Sequence, residues 1–309
     1  MKHLFFFCSL FLSQIIYGQK LGLSDYEKPE LLLKLEAYEK EGEAFKSLGF
    51  QLDDKRHSVS IPLDVIPFAS AEYFHIGFLT DFGRISDLAA APIVLVNSSP
   101  WEKEYTVALA AENLEMFVAL LCEVQTAHVY DYLTFRKNGT GEAYDEWLYE
   151  AVYLSQAQIS APLSKDAWIQ QLQADRAKAV QYLQKHIGDV RIDDVGSYLE
   201  TLNQKRINEI SMETQDGLGI IVSGAAQLIN EVDYEGKVTP DQVNKFLSEA
   251  SKPERLRFYR DATFGESNET YLFERMDKDE AKQLKKVMAD YLAEDGYEYE
   301  ARVLKKYYK

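Results

Sequence analysis

The sequence predicts an α+β protein: a small antiparallel or mixed sheet with helices, followed by a mostly helical region that contains one β-hairpin. Three observations predict it. Residues 66–124 hold three strand-like apolar runs and then one amphipathic helix, joined by short loops. Beyond about residue 145 the apolar residues recur mainly at helical spacing. Within that helical stretch, residues 207–223 alternate instead, around an Asp216-Gly217 pair of the kind that turns a hairpin.

Pro29 to about Lys46 reads as a helix, because proline is tolerated in a first turn and Leu31, Leu32, Leu35 and Tyr38 form one stripe. Gly49 ends it. Val59 to Val65 alternates weakly as a strand, and Pro62 and Pro67, lacking the N–H that a ladder needs, would confine its pairing to an edge or a rim. In Tyr73 to Leu79, Phe74, Ile76 and Phe78 point to one face while Tyr73, His75, Gly77 and Leu79 point to the other. A strand apolar on both faces is expected to be covered on both. Thr80 to Ala91 is a loop, Pro92 to Val96 an apolar strand, and Tyr105 to Leu109 a third. Asn113 then caps a helix with Leu114, Phe117, Val118 and Leu121 facing inward.

Residues 137–144 carry the loop signals of Asn138-Gly139-Thr140-Gly141 and mark the expected boundary between a first domain, 19–140, and a second, 141–309. In the second, Ser164 caps a helix that stops at Gly188, and Asp194 to Asn203 is a shorter one. Asp277 with Glu280 makes a capping box for the helix bearing Leu284, Val287 and Met288.

The chain starts with Lys2, an apolar run from Leu4 to Leu12, and a polar stretch ending in Gly18-Gln19. That order is the layout of a secretory signal peptide over residues 1–18, and it predicts export to a periplasmic or extracellular space. The run is too short to span a membrane, which takes about 20 apolar residues. No other apolar run approaches that length, so no membrane span is expected in the mature chain. With Lys+Arg 34 against Asp+Glu 50, the net charge is −16. That excess argues against nucleic acid or anionic lipid as partner and is compatible with another protein, in particular a basic one. Cys8 would leave with the signal, so Cys122 could form no intramolecular disulfide.

No GxSxG, HExxH or CxxC occurs, which removes the familiar hydrolase, zinc-protease and thioredoxin signatures. Asp81-Phe82-Gly83 spells the kinase magnesium tripeptide, but without the rest of the kinase set it is a turn. Glu231, Asp233 and Glu235 fall at positions 1, 3 and 5 of a twelve-residue calcium loop, with Gly236 at position 6. Position 12 is Gln242, which cannot supply the bidentate carboxylate calcium takes there, and Thr239-Pro240 with Gln242 equally reads as a capped helix start. No cofactor is therefore expected, with calcium as the alternative. Of the histidines, His75 is the candidate for a ligand or partner contact, beside Asp81 and Arg84 of the loop 80–87.

The segments IPFAS, HIGFLTDFG, APIVLVN, EYTVALAA and ENLEMFVALLCEV resemble, in order and spacing, the SUKH superfamily, including its Phe-x-x-Leu-Leu helix ending at Phe117, Leu120 and Leu121. The resemblance spans residues 61–122. It implies a non-enzymatic binding fold, often an immunity protein that occludes a toxin. Together with the predicted export, it points to an exported protein-binding module, immunity-like in kind, whose partner is met in the periplasm or at the cell surface. Two alternatives stand beside it: an extracytoplasmic enzyme using the loop 80–87, and a calcium-responsive protein with a degenerate EF-hand.

Overall fold

The structure is a computed structural model and describes residues 26–42, 45–54, 61–71, 74–97, 107–138, 141–150, 164–222, 238–264, 272–273 and 276–307. The expected signal segment and Glu231, Asp233 and Glu235 lie outside the described residues.

The fold is α+β. Strands β1 (Gln51–Leu52), β2 (Val65–Ser70), β3 (Phe74–Leu79), β4 (Ile93–Asn97) and β5 (Val107–Ala111) form one sheet in sequence order, each antiparallel to the next. All residues of β3 and β4 are buried, so these strands are covered on both faces, as the apolar residues at both parities of β3 require. Strand β2 lies inside the sheet and not on its edge, yet Pro67 itself has a partner strand, β3, on one side only. The cause is local: β1 pairs only with Ser70 and Ala69, and the register of β2 against β3 slips between Pro67 and Ala69. The missing proline N–H falls at this irregularity, where the ladder is already interrupted.

Helix α1 spans Glu30–Glu39 and stops short of the predicted Lys46; the chain turns at 40–42 and resumes as a 3-10 turn, Lys46–Leu48. Helix α2 spans Leu114–Val124, with Asn113 Oδ1 accepting from the Met116 amide at 2.9 Å. Its Phe117 ring meets the edge of Phe68 from β2 at 6.3 Å, which seats α2 on the sheet. Residues 137–144, expected as a loop, are largely taken up by α3 (Val129–Asn138) and α4 (Gly141–Leu148).

Helix α5 (Lys165–Ile187) is capped by Ser164 as expected. Helix α6 (Val195–Glu209) runs past Asn203, where the sequence reading ended it. After it the chain makes a single antiparallel bridge, Met212 to Ile220, around the Asp216-Gly217 turn, so the predicted hairpin is present only in its tip. Helices α7 (Pro240–Glu249), α8 (Lys252–Thr263), α9 (Lys278–Glu294) and α10 (Glu298–Tyr307) follow. No described helix is long and apolar enough to cross a membrane.

Packing continues across residue 140. Tyr38 of α1 stacks on Tyr182 of α5 at 3.7 Å, and Tyr182 Oη donates to the Lys34 carbonyl at 2.9 Å. Arg176 of α5 donates from Nε to the Ser47 carbonyl at 3.0 Å and is also paired with Asp145 of α4. The buried apolar residues of sheet and helices belong to one cluster.

Candidate functional site

Strand pairing assembles the site. Because Val65 pairs with Leu79, the residues just outside that pair, Asp64 and Thr80, are neighbours at the open end of the β2–β3 hairpin. Thr80 donates to the Asp64 carbonyl twice, from its amide and from its hydroxyl, each at 2.9 Å. The next residue, Asp81, is thereby fixed beside Asp64 with its carboxylate turned inward.

Three further elements converge there. In α6 the buried stripe Val195, Leu199, Leu202 continues at helical spacing to Arg206. The guanidinium of Arg206 holds both oxygens of Asp81, Nη1 to Oδ2 at 2.7 Å and Nη2 to Oδ1 at 2.6 Å, the strong bidentate geometry. Its Nε donates to the Leu218 carbonyl at 2.7 Å. In α8, Leu256, Tyr259, Arg260 and Thr263 form one buried face. Arg260, 1% exposed, donates to Asp64 and to the Gly219 carbonyl, and lies 3.8 Å from Asp81 Oδ1 and 3.7 Å from Asp216 Oδ2. The turn after α6 contributes Asp216, which accepts from the Thr214 hydroxyl and, at 3.0 Å, from the Leu218 amide. At its margin Asp261 accepts from the Gln215 amide at 2.8 Å and faces Arg257 at 3.5 Å.

Four aspartates, 64, 81, 216 and 261, thus meet four arginines, 84, 206, 257 and 260. The balance of charge is what allows them inside. Burial raises the Asp64 carboxyl above its ordinary value against the pull of Arg260. Burial would raise Asp81 too, but the hydrogen bonds and charge of Arg206, with Arg260 and Arg84, outweigh it and hold the carboxyl below the ordinary value. Burial opposes the charge on Arg260, and Asp64, Asp216 and Asp81 more than restore it. Burial pushes Asp261 up to about 6, helped by Asp216. The network is not fully satisfied: Asp64 Oδ1 and Asp216 Oδ2 accept no hydrogen bond among the described residues.

The network grips the loop that follows β3. Asp81, Phe82 and Gly83 take left-handed backbone in succession, with φ of 50, 53 and 72°. For the first two that conformation is strained and must be imposed by the surroundings. Asp81 is clamped by Arg206; the Phe82 amide donates to Asp64 at 3.3 Å, and its buried ring lies 5.4 Å from the Arg260 guanidinium and 5.6 Å from Tyr297. Past this anchor Gly83, Arg84, Ser86 and Asp87 are exposed.

Of the residues singled out in the sequence, the structure brings Asp81 and Arg84 together, Arg84 Nη2 donating to Asp81 Oδ2 at 2.9 Å. His75 is not with them. It is only 7% exposed, four residues before Leu79 in β3 and therefore about 13 Å along the strand. Residue 242, the last of the calcium-loop pattern, is occupied otherwise: Thr239 and Gln242 form a reciprocal capping box, with Gln242 Oε1 accepting from the Thr239 amide at 2.9 Å. No cluster of three potential metal-ligating side chains occurs among the described residues. His128 is buried against Phe74 at 5.0 Å and faces Asp131 at 3.5 Å. Burial pushes the Cys122 thiol up to about 11, away from nucleophilic use.

Asp64, Arg206, Asp216 and Arg260 escaped the sequence reading. The one available signal was positional: Arg206 and Arg260 continue apolar helix stripes at sites where a charge needs a buried partner. A concavity of about 460 Å³ lies away from this network, at the β1 end of the sheet, with Trp168 and Arg176 on its wall, but Arg176 is already committed to Asp145 and Ser47.

No protein-family model matches the chain, and no curated protein matches it.

Proposed function

We propose that the chain is an exported, non-catalytic protein-binding module whose recognition surface is the loop 80–87. The observation that carries this reading is the strained, clamped conformation of Asp81 and Phe82 beneath an exposed tip. A loop held rigid before binding loses little entropy on binding, so strain stored there supports recognition. Asp81, the carboxylate beneath the exposed tip, is better read as part of a clamp than as a reacting group, because both of its oxygens are occupied by Arg206 and neither is free to move a proton.

Residues 61–122, which resemble the SUKH superfamily, contain both the β3 strand and this loop, and the function of that superfamily points the same way. The excess of acidic residues favours a partner with a basic surface. An immunity-like role, masking a toxin outside the cytoplasm, is the specific form this reading takes.

The test is affinity capture from the cell envelope of the source with the purified protein and with an Arg84→Glu/Ser86→Arg variant. A partner retained by the natural chain and lost by the variant is expected. Recovery of no specific partner, or equal retention by the variant, overturns the reading.

A further inference from the structure

Five lysines surround one groove in a chain that is otherwise strongly acidic. Lys278, Lys282, Lys285 and Lys286 come from α9, and Lys305 from α10 completes the set. The groove encloses about 1190 Å³, ample beside the roughly 300–1,000 Å³ of ordinary small-molecule sites. Its floor is apolar, formed by Phe273, Met276 and Ala281. Asp279 is the one carboxylate among the described lining residues, and Asp290 pairs with Lys305 at 3.4 Å.

Nothing in the fold of α9 calls for this arrangement. Lys278, Lys282 and Lys286 sit one turn apart, where like charges disfavour a helix, and they enter no ion pair among the described residues. Lys285 reaches over the floor, its ammonium 5.3 Å from the centre of the Phe273 ring, and burial lowers its pKa below the ordinary lysine value. A cation drawn over an apolar floor, with no carboxylate partner among the described residues, is a group prepared for an anion that brings apolar surface with it. Lysine suits this role, as a point charge that accepts carboxylate or phosphate without a fixed fork geometry.

We propose that this groove binds a single-chain amphiphilic anion, an acyl chain or similar apolar body ending in a carboxylate or phosphate. The tail lies on Phe273 and Met276, and the head is held among Lys282, Lys285, Lys286 and Lys305. The site stands apart from the loop 80–87 and does not depend on the reading of that loop.

Calorimetric titration of the purified protein at low ionic strength tests it, with dodecyl phosphate and dodecanoate below their micelle concentrations as probes. Saturable binding of either probe is expected, weakened by added salt and weakened about tenfold or more in Lys282→Glu/Lys286→Glu. Lys178→Glu/Lys185→Glu, an equal charge change on two exposed residues of α5, leaves it unchanged. Both groove positions are exposed, and Lys282→Gln/Lys286→Gln repeats the test if charge reversal disturbs folding. Four results would overturn the proposal: no saturable binding, equal binding by the double variant, dodecyl maltoside or inorganic phosphate binding as well as the alkyl anions, or a glutamate-rich peptide binding more tightly than they do.

Discussion

Arg206 and Asp81, 125 residues apart in sequence, meet in a bidentate pair with N–O distances of 2.7 and 2.6 Å, both side chains almost wholly buried. This pair joins the loop after β3 to helix α6 and so ties the sheet to the helical part of the chain. Buried pairs seldom add net stability over apolar residues of the same shape, but breaking one leaves a charge without its partner. The pair therefore fixes conformation more than it raises stability.

Arg206→Met is expected to lower the free energy of unfolding by about 3–5 kcal/mol, since it leaves Asp81 with only the exposed Arg84 and the more distant Arg260. Asp81→Asn/Arg206→Met should cost less than the sum of its two single changes, by about 1–3 kcal/mol. Urea unfolding of all four proteins measures this. Additive losses would mean the two residues act independently.

Asp261 gives stability an unusual pH dependence. Burial raises its folded value to about 6, above the ordinary value of 3.8 in the unfolded chain. Between these two the folded state binds the extra proton, so this group's contribution falls as pH rises from about 4 to about 6, by an amount on the order of 3 kcal/mol. Asp81, held below its ordinary value, acts in the opposite sense: its contribution is present above that value and is lost as pH falls below it. In Asp261→Asn the loss across pH 4 to 6 should shrink, while the Gln215 amide keeps an acceptor. Unfolding midpoints at a series of pH values would show it, and an unchanged profile would remove Asp261 from the account.

Gly219 and Gly83 both have positive φ, 62 and 72°, yet they should respond differently to alanine. A Cβ on Gly219 would lie 2.6 Å from Ile210 Cγ1, whereas one on Gly83 meets nothing within 4 Å. Gly219 also lends its carbonyl to both Arg206 and Arg260. Gly219→Ala is expected to cost roughly 2–4 kcal/mol and Gly83→Ala about 1 kcal/mol. Thermal unfolding ranks the two.

Arg84→Ala should change stability by less than about 1 kcal/mol, because its side chain is 44% exposed and Arg206 alone keeps both oxygens of Asp81 engaged. The same change should weaken capture of the partner through the loop. A large loss of stability would instead make Arg84 part of the clamp.

The sequence by itself determined the α+β class, the apolar strands β3 and β4, the capped start of α2 at Asn113, and the helices that begin after Ser164 and Asp277. These are local matters: side chains two or three to four residues apart share a face, and a capping side chain bonds an amide two or three residues on. Only the tertiary structure decided that β2 lies inside the sheet despite Pro67, because a two-residue β1 and a register slip cannot be seen in strand composition. It alone decided the clamp as well. Asp64 and Arg260 are 196 residues apart, and no spacing links them. Read locally, each is one more charged residue in a highly charged chain. A charge becomes a partner, and a loop becomes rigid, only when folding removes both from water together.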